Sequence, residues 1–194
     1  DFMPGGPLAV PDGHAVVPVA QALIPHYDLV VATQDWHPLD HGSFAANHPG
    51  QKPGELIRLN GLDQVLWPTH CVQNTPGADF VKGLTHQKLD AIFVKGTDPE
   101  VDSYSGFFDN GRRKSTGLES WLKQQGVMAV TVLGVATDYC VKFTALDAIS
   151  CGFETTLIED GVRAVDLSPG DGERAIEAMR SAGVRIRQSA TVTT

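Results

Sequence analysis

AVTVLGVATDYCVKFTALDAIS, residues 129–150, carries two periodicities in succession. Residues 129–133 are a short, β-branched apolar run, the pattern of a buried strand. Residues 137–150 place apolar side chains at helical spacing and stop near Gly152, a residue suited to a helix C-terminus. Strand, loop and helix in this order open a βαβ unit. The alternation recurs outward from there. Residues 29–32 (LVVA), 91–94 (AIFV), 155–158 (TTLI) and 184–186 read as strands. Residues 13–26, 116–125 before Gly126, and 170–182 before Gly183 read as helices. Together they predict an α/β fold whose parallel sheet is covered on both faces. Ligands in such folds bind at the carboxyl ends of the strands.

The 194 residues, 42% of them hydrophobic, suit one domain spanning 1–194. Fifteen Lys+Arg against 23 Asp+Glu give a net charge of -8, which argues against nucleic acid or an anionic membrane as partner. No apolar run reaches the roughly 18 residues of a membrane span. Three scattered cysteines, Cys71, Cys140 and Cys151, make no disulfide framework, so a reducing, cytoplasmic compartment is the simplest reading. The chain opens at Asp1 in loop-like DFMPGG without a secretory signal, which reads as a segment missing ahead of it.

The chemistry-bearing residues fall in the loops after strands. Cys140 follows the 129–133 strand in the first turn of the next helix, with Thr137 or Asp138 as N-cap. First-turn amides and the helix dipole favour a thiolate there and can hold an oxyanion. The competing reading is a small buried hydrophobe. Cys151 sits at a helix C-terminus, where the dipole opposes a thiolate. Cys71 adjoins His70, but neighbours in an extended segment point to opposite sides. Asp35 and His37 are two apart, on one face of an extended chain, and His70 completes a two-histidine, one-carboxylate set. That donor mix suits Zn, Mn or Fe, and a lone D-x-H is also common surface polarity. His41 and His48 read as solvated or supporting residues, with further metal ligation as the alternative, and His14, His26 and His86 as surface residues. Lys95 ends an interior strand, where it either tunes the thiol or snorkels to water. Trp67 and Tyr104 could stack on a flat ring or cover the core. The connection over 38–90, which carries Trp67 to Cys71, is long enough to suggest a functional loop.

Five ordered stretches, DFMPGGPLAV (1–10), TQDWHPLDHGSF (33–44), LWPTHCVQNTPGA (66–78), VKGTDPEVDSYSGF (94–107) and GVATDYCVKFTALDA (134–148), resemble the nicotinamidase/pyrazinamidase family of isochorismatase-like cysteine hydrolases. The resemblance implies a three-layer α/β/α fold with a six-stranded parallel sheet. It implies hydrolysis of nicotinamide to nicotinate and ammonia through a cysteine thioester, with pyrazinamide as a further substrate. By the same resemblance Cys140 is the nucleophile and Lys95 the catalytic lysine. Asp35, His37 and His70 hold one divalent metal ion, zinc first. Phe2, Leu8, Trp67, Tyr104, Val135, Ala136 and Tyr139 bind the substrate, and the Ala136 and Cys140 amides form the oxyanion hole. A cis peptide is implied at Val135-Ala136. Asp1-Phe2 match only the last two positions of the family's D-x-Q-N-D-F motif, which places the catalytic aspartate and most of the first strand ahead of Asp1. The alternatives are another small-amide hydrolase of the superfamily or a metal- or nicotinamide-binding pseudoenzyme. A homo-oligomer is left open.

Overall fold

The computed structural model describes residues 1–84 and 89–192, so His86 lies outside the described residues. Helix α1 (Val16–Leu23) runs between single 3-10 turns at Gly13–Ala15 and Ile24–His26. It is followed by β1 (Val31–Asp35), the hairpin strands β2 (Leu56–Leu59) and β3 (Leu62–Val65), and β4 (Ala91–Lys95). Then come α2 (Leu118–Gln124), β5 (Ala129–Val135), α3 (Lys142–Ser150), β6 (Glu154–Arg163), α4 (Asp171–Ser181) and β7 (Arg185–Arg187). The expected alternation is therefore present, with β1 starting two residues later than its apolar run. Among the described residues no helix is long and apolar enough to cross a membrane.

Three of the helices end on the same device. Gly126, Gly152 and Gly183 sit at φ 73°, 90° and 100°, a left-handed region that costs a residue without Cβ little. The next residue's amide then reaches back to the helix: Val127 to Leu122, Phe153 to Ala148 and Val184 to Met179, each at 3.0 Å. Each cap turns the chain directly into the following strand.

The parallel strands form two sheets, β1–β4 and β5–β6–β7. The α/β class with parallel strands is as expected. β1 pairs with β4 and β5 with β6, and among the described residues no ladder joins β1 to β5. Neighbours Leu157 and Ile158 on β6 are both fully buried, and since successive strand residues face opposite ways, this sheet is covered on both sides. One core cluster joins Val141 and Ala145 to Leu157, Val162, Met179 and Val184, and a second joins Phe107, Leu118 and Leu122 to Ala148 and Phe153. α3 belongs to both through Ala145 and Ala148, whose small side chains let it lie close to its neighbours.

The long connection is not structureless. It holds the antiparallel hairpin β2–β3, turned at Asn60-Gly61 with φ 48° and 84°. Asn-Gly between two apolar-alternating tetrads is a strong short-range hairpin signal, and the sequence reading passed over it.

Candidate active site

The site lies where β1, β4 and β5 end. Asp35 and Lys95 are the last residues of β1 and β4 and are register partners. The backbone then carries the pairing past the strands. Trp36 donates to the Lys95 carbonyl (2.9 Å), His37 to Cys71 (3.0 Å), and Gln73 back to His37 (2.8 Å). These bonds dock residues 70–73 beside β1 and bring His70 to Asp35, although the two are far apart in sequence. The His37 and His70 Nε2 atoms stand 3.7 and 3.8 Å from Asp35 Oδ2. All three side chains offer donor atoms within 4.8 Å of one another.

Outer contacts set the histidine tautomers. His37 Nδ1 donates to the Gly96 carbonyl and His70 Nδ1 to the Pro68 carbonyl, each at 2.8 Å. A carbonyl can only accept, so each Nδ1 carries hydrogen, and in the neutral ring it is Nε2 whose lone pair faces Asp35. Gly96 is required here: a Cβ would fall 2.3 Å from His37 Cε1, at a φ of +66°. Two imidazole nitrogens and a carboxylate oxygen converging in a buried space are a donor set for a divalent ion. His41 adds to this. It is fully buried rather than solvated; its ring centroid is 4.4 Å from that of His37, and among the described residues its Nε2 has no hydrogen-bond partner. His48 instead donates to the Gly42 carbonyl, while His14 and His26 are exposed.

Burial works against every charge in this cluster. For Asp35 it would raise the carboxyl, but the Lys95 ammonium and the two histidines outweigh it and hold Asp35 far below the usual carboxylate range. For Lys95 burial would lower the ammonium, but Asp35 and Cys140 outweigh it and the lysine stays charged. His37 is raised, because Asp35 overcomes desolvation. His70 is pushed down to about 4, by burial first and then by His37.

Lys95 spends its three hydrogens on three partners. They are Asp35 Oδ1, the Ser103 carbonyl at 2.9 Å and Cys140 Sγ at 3.3 Å. It thus joins the carboxylate of the donor set to the sulfur. Cys140 lies in one π-turn, Thr137–Val141, ahead of α3. The N-cap is Ala136, and no side chain caps it, which corrects the expectation for Thr137 or Asp138. Asp138 turns away and accepts the amides of Val165 (3.0 Å) and Asp166 (2.8 Å). The Val135-Ala136 peptide is cis, as the resemblance implied. Burial pushes the Cys140 thiol up to about 11 although Lys95 pulls the other way, so the dipole argument for a resting thiolate does not carry over. Cys71 is buried, reaches only the Gly77 carbonyl and is pushed up to about 12 by desolvation; Cys151 caps the end of α3.

These groups open on one small pocket. Asp35, His37, His70 and Cys140 all line it, as do Phe2, Leu8, Trp67, Tyr104, Ala136 and Tyr139. Trp67 and Tyr104 stand edge-on to Tyr139, at centroid distances of 4.7 and 5.2 Å, and make an aromatic wall. Val135 is not in the lining; it ends β5, and Ala136 takes the pocket position. Lys95 reaches the site through its ammonium contacts without appearing in the lining. Asp102 lines it too, as do Ser103 and Val165, which had no signal in the sequence. Ser103 contributes through its backbone carbonyl, which every residue type carries.

Residues 1–191 match the Isochorismatase domain family. The chain is 49% identical over 191 residues to a nicotinamidase of Escherichia coli (strain K12), covering 96% of this chain and 89% of that one. A solved Acinetobacter baumanii nicotinamidase pyrazinamidease superposes with a TM-score of 0.95 at 45% identity, covering 98% of this chain and 92% of that one. The pyrazinamidase of Pyrococcus horikoshii in complex with zinc has a TM-score of 0.78 at 41% identity, covering 96% and 92%.

Proposed function

Because the chain belongs to the nicotinamidase/pyrazinamidase family of isochorismatase-domain proteins, we propose that it hydrolyses nicotinamide to nicotinate and ammonia. It is an amidohydrolase acting on a linear carboxamide. What most supports the assignment is the contact chain Asp35–Lys95–Cys140, which ties a metal-type donor set to a nucleophile across one small aromatic-walled pocket.

In our reading the planar ring enters between Phe2 and the Trp67–Tyr104–Tyr139 wall. Confinement there holds the carboxamide carbon over the Cys140 sulfur, converting attack into a step within one complex. A divalent ion, which we assign as zinc, would be held by Asp35, His37 and His70 and would supply Lewis acidity toward the ring nitrogen. Cys140 starts as a thiol, so attack needs its proton removed. The resemblance gives that role to a carboxylate ahead of Asp1. The Lys95 ammonium, 3.3 Å from Sγ, favours the sulfur anion as it forms. The Ala136 and Cys140 amides receive the tetrahedral oxyanion. The carbon–nitrogen bond breaks with the proton delivered to ammonia, and water then cleaves the thioester to nicotinate and the free thiol.

The test is a substrate panel on the metal-loaded protein, reading ammonia release from nicotinamide, pyrazinamide and N-carbamoyl compounds. Turnover of nicotinamide is the expected result. Turnover confined to N-carbamoyl compounds would make the protein a different amidohydrolase, and none at all would make it a binding protein.

A further inference from the structure

Gln64 lies on β3, outside the pocket, and is 2% exposed. Its amide nitrogen carries two hydrogens and shares them among three acceptors: the Val65 carbonyl at 2.8 Å, Asp102 Oδ2 at 3.1 Å and the Tyr104 hydroxyl oxygen at 3.1 Å. The amide cannot be turned over, because its oxygen would then face a carboxylate and a carbonyl, both acceptors. Asp102, 3% exposed, thus fixes which end of Gln64 meets Tyr104. The indole Nε1 of Trp67 reaches the same hydroxyl oxygen at 3.3 Å and can only donate. Neither neighbour of that oxygen can accept a hydrogen bond. Among the described residues no other atom accepts the phenolic hydrogen. Tyr104 itself lines the pocket.

We propose that Gln64 is a positioning residue: seated on Asp102 and acting with Trp67, it presents the Tyr104 hydroxyl as a hydrogen-bond donor to the ligand, so the site prefers an azine amide or its carboxylate product with an acceptor atom at that wall. This deepens the function proposed above and rests on it. The acceptor is a second ring nitrogen, as in pyrazinamide, or a carboxamide or carboxylate oxygen, as in both amides and nicotinate.

The experiment compares the metal-loaded wild type with Gln64→Met, Tyr104→Phe and the double variant. It measures kcat and KM for nicotinamide and pyrazinamide, nicotinate binding by calorimetry, and thermal midpoints. Each single change is expected to raise KM and nicotinate Kd about three- to tenfold, the worth of one neutral hydrogen bond. The double variant should be no worse than Tyr104→Phe, because Gln64 acts through that hydroxyl. A larger KM change for pyrazinamide assigns the ring nitrogen, and an equal change assigns the oxygen; both support the proposal. Tyr104→Phe keeps the ring, so it tests the donor even if Gln64→Met unfolds. Unchanged KM and Kd in Tyr104→Phe, or a Gln64→Met effect that persists in the Tyr104→Phe background, overturns the proposal. If the wild type binds nicotinate with the expected pattern yet hydrolyses neither amide, the assigned activity fails and the positioning role stands.

Discussion

The ends of β1 and β4 set a buried cluster of ionic side chains beside the pocket, while the end of β5 turns in a thiol that is neutral at rest. In the first region Asp35, Lys95 and His37 are each buried at a cost that their mutual attraction offsets, so none of them is at home without the others. In the second, Cys140 is a small buried side chain in a helix-opening turn, and desolvation, ahead of the opposing pull of Lys95, moves it up to about 11. A reactive group can therefore be placed by charge balance or by backbone geometry. The two kinds of placement should fail differently.

The largest expected effect breaks the second region and spares the first. Cys140→Ala should lower turnover on the order of 10⁴-fold or more. It should leave the folded protein and its metal content nearly unchanged, since no charge loses its partner. Residual turnover within tenfold of wild type would exclude covalent catalysis at this sulfur. Asp35→Asn breaks the first region. It leaves the Lys95 ammonium buried without its counter-ion, and removing one partner of such a pair costs about 3–5 kcal/mol. Urea unfolding should show that loss together with lost metal binding. An unchanged midpoint would mean that the charges are not balancing one another.

A smaller effect sharpens the link between the regions. In the metal-free protein, alkylation of Cys140 by iodoacetamide, followed by peptide mass spectrometry, should accelerate about tenfold per pH unit between pH 7 and 10. The thiol, raised to about 11, is still deprotonating throughout that range. Lys95→Met removes the group that lowers it, so alkylation should be slower at each pH. A rate that levels off near pH 8 would show a thiol far more acidic than the buried environment allows.

Much of this was readable in advance, to different depths. Asp35 and His37 sit two apart at a strand end, so local geometry alone put both on one face. Asn60-Gly61 announced its hairpin just as locally, and the reading missed it by treating the connection as loop. His41 illustrates the opposite case. Its ring packs on His37 and Phe44, four and three residues away, but spacing alone does not tell whether that loop turns its side chains inward or toward water. Gln64 was invisible because its partners Asp102 and Tyr104 lie beyond β4.

By itself the sequence determined the alternation of strands and helices, the Gly-capped turns and the set of reactive residue types at strand ends. These follow from periodicity and backbone sterics within a few residues of each position. The tertiary structure decided which buried polar groups meet, that Lys95 bridges Asp35 to Cys140, and that Asp138 serves a neighbouring loop instead of its own helix. Contacts of that kind depend on the register and packing of distant elements, where a shift of one residue exchanges every partner.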